Sequence, residues 1–347
     1  MPPLRIAVLA NLKENAPPDP SPEAWAELDS RATVDAIVGA LTRAGHEATF
    51  FEGDLSLVQR LPAFRPDLCF NLCEGHYGDS RESHVPSILE MLRLPYTGAG
   101  VLALAVTLDK PTTKRILATH GVPTPEFQVF DRPDAPLSPT LAFPLISKPA
   151  HEGSGMGVAS TSVARDEAEL RVAVARTIEQ FRQPALVERF IPGREVTIGL
   201  VGNVGAPAPV DGPWASLPCI DGVCVLPIYE LLFRDAGAYT GAVKGAWVGD
   251  WSQGVHYRCP AELACSAVED LYELAVSTFV ATGCRDVARV DLRLDASQGD
   301  RPYVLEINAL PGLAPGWSDL CLEALAAGID YDALIRGITD AAIRRVS

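Results

Sequence analysis

Much of what usually directs a functional reading is missing from this 347-residue chain. No stretch approaches the ~18 consecutive apolar residues of a membrane span, and the apolar run within MPPLRIAVLANLKEN is too short for a signal peptide. A basic excess is missing too. The 29 Lys and Arg against 44 Asp and Glu leave a formal net charge of −15, which repels nucleic acid and anionic membranes, and no local basic patch offsets it. The eight cysteines form no C-x-x-C pair and have no histidines at ligand spacing, so neither a zinc site nor a redox dithiol is indicated. Reduced, mostly buried thiols are the expectation. There is no internal repeat and no low-complexity tail. What remains is a globular chain, 48% hydrophobic and 21% charged, long enough for two or three units with their own cores. The expected location is cytoplasmic, with no nucleic-acid or membrane partner.

The pattern along the chain divides it in three. RIAVLA (5–10) is a short β-rich run, and after a proline-laden segment the spacing of Val34, Ile37, Val38 and Leu41 predicts a helix ending at Gly45. HEATFFE and PDLCFNL read as further strands, giving a small parallel-sheet unit over 1–120. Its last helix, in LDKPTTKRILATHG, has Asp109 near the N-cap, Pro111 in the first turn and Gly121 at the stop. Residues 121–205 change to strands around one helix: TPEFQVF, FPLISKP, GVASTS, RDEAELRVAVARTIEQF, ALVERFI and EVTIGLVG. A Gly, Pro and aromatic-rich stretch opens the last unit, 206–347. The helix AELACSAVEDLYELAVSTFVATG follows, then the strands DVARVDLRLD and PYVLEINAL around the turn ASQGDR, then a terminal helix. The fold class is therefore mixed α/β and α+β.

Candidate chemistry begins at that last hairpin, because side chains alternate across a strand. Arg289, Asp291 and Arg293 share one face, and Glu306 and Asn308 share a face opposite Leu305 and Ile307. Antiparallel pairing would bring Asp291 to within ~5–8 Å of Glu306 and Asn308. Hard oxygen ligands that form only part of a shell suit Mg2+, which takes the rest from water and nucleotide phosphates. The hairpin alone reads equally well as a solvated face whose acids are neutralised by Arg289 or Arg293.

Upstream, ISKPAHEGSGMGV sets Lys148 at a strand end before Gly153, Ser154, Gly155 and Gly157. Such glycines let backbone N–H groups close over phosphate oxygens, although a plain hairpin tip explains them as well. The loop is neither a Walker A sequence nor a Rossmann fingerprint. Glu188 and Glu195 flank a Pro-Gly turn in ALVERFIPGREV, where they could accept bonds from an adenine amine or ribose hydroxyls; isolated acids there are otherwise surface charges. Lys110 and Lys244, each unremarkable singly, join Lys148 as three candidate phosphate partners.

These segments together resemble an ATP-grasp carboxylate–amine ligase, and specifically the D-alanine–D-alanine ligase family. The likeness runs in order through LEMLRLPYTGAG, LDKPTTKRILATHGVPTP, SKPAHEGSGMGV, VERFIPGREVTIGLVG, YTGAVK, CPAEL, GCRDVARVDLRL and LEINALPGL. It implies an ATP-grasp fold behind an N-terminal parallel-sheet (pre-ATP-grasp) domain, and an ADP-forming ligase that makes a peptide bond through an acyl phosphate. Lys110 and Lys148 would contact ATP. Gly153, Ser154 and Gly155 would fold over its phosphates, with Ser154 reaching the reaction centre. Glu188, Arg189 and Glu195 would hold adenine and ribose, and Lys244 would approach the γ-phosphate. Asp291, Glu306 and Asn308 would bind a pair of Mg2+ ions, or Mn2+, while Arg289 and the backbone at Gly312 would stabilise the oxyanion. The family also implies small amino acid or peptide substrates and, commonly, a homodimer.

The chain departs from the family where substrate binds. NLKENAPPDPSPEAWAELDS replaces the usual Gly-Gly-x-Ser-x-Glu, leaving Glu27 as the candidate ammonium ligand, and the family His-Gly becomes NLCEGHYGDSRES, with Glu74 in it. Gly245 follows the lid lysine, and APGWSDL replaces the Ser-Leu segment. D-alanine dipeptide synthesis is the default activity, an amino acid or peptide ligase of other specificity its competitor, and an ATP-grasp phosphotransferase the third reading.

Overall fold

A computed structural model of the chain describes residues 2–18, 25–153, 156, 162–233 and 255–346. Among them lie three sheets. The first is parallel, in the order β2 (Glu47–Glu52), β1 (Arg5–Ala10), β3 (Leu68–Leu72). Helix α1 (Arg31–Arg43) covers one face: Ser30 caps it by accepting from Thr33 N–H at 3.2 Å, and Val34, Ile37 and Leu41 are buried. The expected stop at Gly45 is a left-handed glycine (φ 93°). Helix α2 (Leu57–Phe64) packs with the opposite face, and α3 (His84–Met91), α4 (Val101–Leu108) and α5 (Lys110–Thr119) follow. Asp109 caps α5, taking a 2.7 Å bond from Thr112 N–H, and Pro111 sits in its first turn.

The second sheet runs β4 (Phe127–Phe130), β7 (Ala185–Arg189), β5 (Leu145–Pro149), β6 (Val163–Ala164), backed by α6 (Glu167–Phe181). Five residues of the expected GVASTS strand, 157–161, lie outside the described residues.

The third sheet has seven strands and is organised on β8 (Gly193–Gly202). One edge of β8 pairs along its whole length with β13 (Asp286–Asp295), which in turn pairs with β14 (Arg301–Asn308). The other edge is shared by β10 (Val223–Val225) and β11 (Tyr229–Phe233); β9 (Cys219–Ile220) and β12 (Val255–Arg258) flank these. Sequence reading placed β8 with the central unit, beside its neighbours in the chain, but its ladder partner lies roughly ninety residues downstream. Strands β9–β12 lie in the Gly, Pro and aromatic-rich stretch that opens the last unit, for which the sequence reading names no strand; their short length and their Pro and Gly neighbours hide any two-residue period. The all-reduced reading of the cysteines is also corrected. Antiparallel pairing sets Cys219 directly opposite Cys224, Cα atoms 4.0 Å apart, and the two form a disulfide. The other six are free.

Alternation makes the third sheet two-faced. Val196, Ile198 and Leu200 of β8, with Ala288, Val290 and Leu292 of β13, pack on Leu271, Ala275 and Phe279 of α7 (Cys265–Ala281). Glu195, Thr197, Arg289, Asp291 and Arg293 are left for the opposite face, toward the second sheet. The terminal helices α8 (Asp319–Ala326) and α9 (Tyr331–Val346) turn back to the first sheet, where Leu320, Leu334 and Ile338 join Ile6, Val8 and Ile37 in one core.

A buried carboxylate joins these parts. Asp286, fully buried at the start of β13, accepts from Gly98 N–H (2.9 Å), Asn203 Nδ2 (2.9 Å), and Arg345 Nε and Nη2 (3.0 and 2.7 Å). Its four donors come from the loop before α4, the end of β8 and the last helix. Asp286→Ala would leave Gly98 N–H and Arg345 Nε without an acceptor and the Arg345 charge without its counterion, although Asn203 Nδ2 and Arg345 Nη2 keep the Ala341 and Tyr96 carbonyls, and should lower stability by about 3–5 kcal/mol in thermal or urea unfolding. An unchanged midpoint would mean the units are joined by apolar packing alone.

Candidate active site

The cleft between the second and third sheets is lined by Lys110, Lys148, Glu188, Arg189, Glu195, Arg289, Asp291 and Glu306, with Ile146, Met156, Phe190, Val196, Leu231 and Leu305 as its apolar walls. Asp291 pairs directly with Glu306, within the reach expected from alternation on the hairpin, and Arg289 pairs with Asn308. One detail differs. A bulge beyond Asp291 leaves Leu305 without a ladder partner, so Leu305, expected on the opposite face, lines the cleft beside Glu306.

Every charge in this cleft is held by another. Asp291 accepts from Arg289 Nε and Nη2 (3.0 and 2.9 Å), Asn308 Nδ2 (2.9 Å) and Thr197 Oγ1 (2.5 Å). Glu306 lies 3.1 Å from Lys110 Nζ; burial opposes its charge, but Lys110 and then Lys148 pull its carboxyl down to about 2. Arg289 also reaches Asp319, the first residue of α8, at 3.3 Å.

Glu188 is buried between two lysines, 2.7 Å from Lys148 Nζ and 2.8 Å from Lys114 Nζ. Lys114 escaped sequence reading, although it stands four residues after Lys110 on α5 and so shares its face. Burial, with Lys148 as a like-charged neighbour, drives Lys114 down to about 8 despite Glu188. Lys148 is raised instead: burial opposes its charge, but Glu188, Glu306 and Glu195 outweigh it. Glu195 is pushed up to about 7, by burial against the pull of Arg293, whose Nε is 3.7 Å away. Arg189 is committed to the scaffold, donating to Glu126 (2.9 Å) and Asp295 (2.8 Å) with its guanidinium over Tyr303.

A second cavity opens toward the first sheet, lined by Glu27, Asp29, Glu74, Glu82, Gly153, Asn308 and Gly312. Lys110, Arg289, Glu306 and Asp319 line both cavities, so the two meet at these four residues. Glu27, from the segment that departs from the family pattern, takes a 2.7 Å bond from Arg81, which also bonds Glu152 (3.1 Å) and the His151 carbonyl (2.9 Å). A Cβ on Gly153 would collide with the Glu27 carboxylate, so Gly153 packs directly against it. Lys110 adds a bond to the Glu152 carbonyl. Sequence reading singles out none of Glu82, Arg81 and Asp319; the loop that closes where Gly75 meets Arg81 carries the first two, and Asp319 opens α8. Ser154, Gly155 and Lys244 lie outside the described residues.

The arrangement can hold a polyanion against Lys110 and Lys148, beside an apolar slot, and present it to a group in the second cavity. Glu188→Gln would leave Lys114 and Lys148 buried without their shared anion. A loss of about 3 kcal/mol is expected in thermal unfolding of the ligand-free protein; an unchanged melting temperature would show that solvent already screens the pair.

Comparison with known proteins bears on the chain as a whole. Residues 116–210 and 249–340, together more than half of it, match the family model for the D-ala D-ala ligase C-terminus. The uncharacterized protein y4sG of Sinorhizobium fredii is 35% identical over 99% of this chain and 98% of its own length. D-alanine–D-alanine ligases of Pelotomaculum thermopropionicum and Syntrophotalea carbinolica are 32% and 34% identical, covering 90% and 89% of this chain and 92% and 90% of theirs. The fold agrees with the D-alanine–D-alanine ligase of Bacillus anthracis solved with ATP: TM-score 0.71 at 23% identity, over 99% of this chain and 98% of that one. The chain belongs to the D-alanine–D-alanine ligase family, the ATP-grasp enzymes that join a carboxylate to an amine with ATP.

Proposed function

We propose that this ligase activates an amino acid carboxylate as an acyl phosphate in the second cavity and converts it there to an amide. The observation that carries the reading is the junction itself: Lys110, Arg289, Glu306 and Asp319 face the nucleotide cleft and the substrate cavity at once.

The chemistry balances in two steps. A carboxylate oxygen of the substrate bonds to the γ-phosphorus of ATP as the bond to ADP breaks. The amine then bonds to the acyl carbon, its proton departs, and the C–O bond to phosphate breaks. Lys110 and Lys148 offset phosphate charge and orient the triphosphate, which is most of what phosphoryl transfer asks of a protein. The Arg289 guanidinium, fixed by Asp291 and Asp319, points its charge at the junction where the tetrahedral oxyanion forms. Glu188 keeps Lys148 in place, and the apolar walls take the adenine.

Asp291, Glu306 and Asn308 suit magnesium. Among the described residues no three His, Cys, Asp or Glu side chains form a metal group by themselves, so an ion here would need the Asn308 amide oxygen, water and phosphate to complete its shell. That incomplete shell of hard oxygens is what Mg2+ uses with nucleotides, and an ion there would neutralise phosphate charge. A pair of ions, a homodimer and a cytoplasmic location remain part of this proposal. No helix among the described residues is long and apolar enough to cross a membrane.

The test is a panel of D- and L-amino acids, alone and in pairs, with ATP and Mg2+, read as phosphate release and product mass, with D-alanine as the reference. ADP, free phosphate and a mass matching an amide are expected. A stable phosphoester without free phosphate would establish a phosphotransferase instead. Asp291→Ala/Glu306→Ala should lower ADP formation by about a hundredfold or more; unchanged turnover would overturn the metal assignment.

A further inference from the structure

The wall of the second cavity that belongs to the first sheet carries more acidic side chains than an amino acid's α-ammonium requires. Glu27 is matched by Arg81. Glu74 and Glu82 also line the cavity, and among the described residues neither side chain makes a hydrogen bond or an ion pair. Glu82 is only 8% exposed, so its carboxylate is withdrawn from bulk water yet opens onto the cavity. An unpaired carboxylate held this way is costly unless a cation arrives.

The local scaffold keeps both acids there. Asn11, buried at the end of β1, accepts from Gly75 N–H (2.9 Å) and donates to the Gly53 carbonyl (3.0 Å), pinning the residue after Glu74. Gly75 has φ 71°, and a Cβ on it would strike the Arg81 carbonyl, so the two ends of the 75–81 loop touch and bring Glu82 back beside Glu74. Burial, followed by Glu82 and Glu27, pushes the Glu74 carboxyl well up against the pull of Arg81, and burial with Glu27 takes Glu82 to about 8 against Arg81 and Lys110. Their shared burial favours the protonated form until a cation arrives to compensate the charge.

We propose that this cavity selects an amino acid with a second positive charge, whose side-chain ammonium sits between Glu74 and Glu82 while its carboxylate reaches Lys110 and Arg289. The inference rests on the ligase reading and adds to it the class of substrate, a basic or diamino acid. Its α-ammonium falls to Glu27 and Asp29, which line the same cavity, and Glu74 and Glu82 take the further charge. A neutral side chain would leave both without a partner.

Matched pairs that differ only in the distal ammonium test this: lysine against norleucine and ornithine against norvaline, in both configurations. They are titrated calorimetrically into the full-length protein with a non-hydrolysable ATP analogue, and assayed for phosphate release with ATP and Mg2+. The cationic member should bind about tenfold or more tightly, the value of one charge-assisted hydrogen bond, with the difference appearing in KM rather than kcat. Glu82→Gln, nearly isosteric, should erase most of that preference. Glu74→Gln is the second variant, and melting temperatures show whether each is folded. Equal binding of lysine and norleucine, or a preference that survives in both folded variants, would overturn the inference while amide formation from other amino acids leaves the ligase standing. Absence of phosphate release with every amino acid would remove the ligase reading and this inference with it.

Discussion

The buried Asp286 carboxylate is the constraint on which the rest of the molecule depends. It has no water to fall back on, so its four donors must stay in place, and they come from separate parts of the chain. Holding Gly98, Asn203 and Arg345 to one point fixes the parallel sheet against the start of β13. The acidic wall of the substrate cavity stands on the first of these parts, and Arg289 lies three residues along β13 from Asp286. The cavity between them exists because that joint does not slide.

A second regularity follows from the same electrostatics. In the nucleotide cleft, buried charge is matched within a few ångströms: Glu188 by Lys114 and Lys148, Glu306 by Lys110, Asp291 by Arg289. Such pairs fix the lysines at the cleft, so less reorganisation would remain for a polyanion bound there. Glu74 and Glu82 break the pattern, at the place where the sequence departs from its family. That mismatch in an otherwise balanced site is what the proposed second ammonium of the substrate would fill.

Much of this was legible in sequence, for identifiable reasons. Simple alternation brought Asp291 within reach of Glu306 and Asn308, because antiparallel strands keep a period of two; it misplaced Leu305, because a bulge leaves no mark in composition. Lys110 and Lys148 were found within recognisable segments, whereas Lys114 could have been found from its four-residue spacing on α5. Glu82 had no such signal, since its position depends on Gly75 meeting Arg81 across a loop. Strand β8 was grouped with the wrong neighbours because pairing across about ninety residues is a property of the sheet and not of the strand. The Cys219–Cys224 bond was likewise invisible until β9 and β10 were seen to oppose them.

The central claim is that the carboxylate itself attacks ATP, and oxygen labelling tests it most directly. An amino acid carrying 18O in both carboxylate oxygens is supplied with ATP, Mg2+ and an amine, and the released phosphate is analysed by mass. The account predicts one 18O atom transferred to phosphate for each amide formed, because the attacking oxygen leaves with the phosphoryl group. Unlabelled phosphate accompanying amide formation would contradict it, since the carboxylate would then have been activated by some other route.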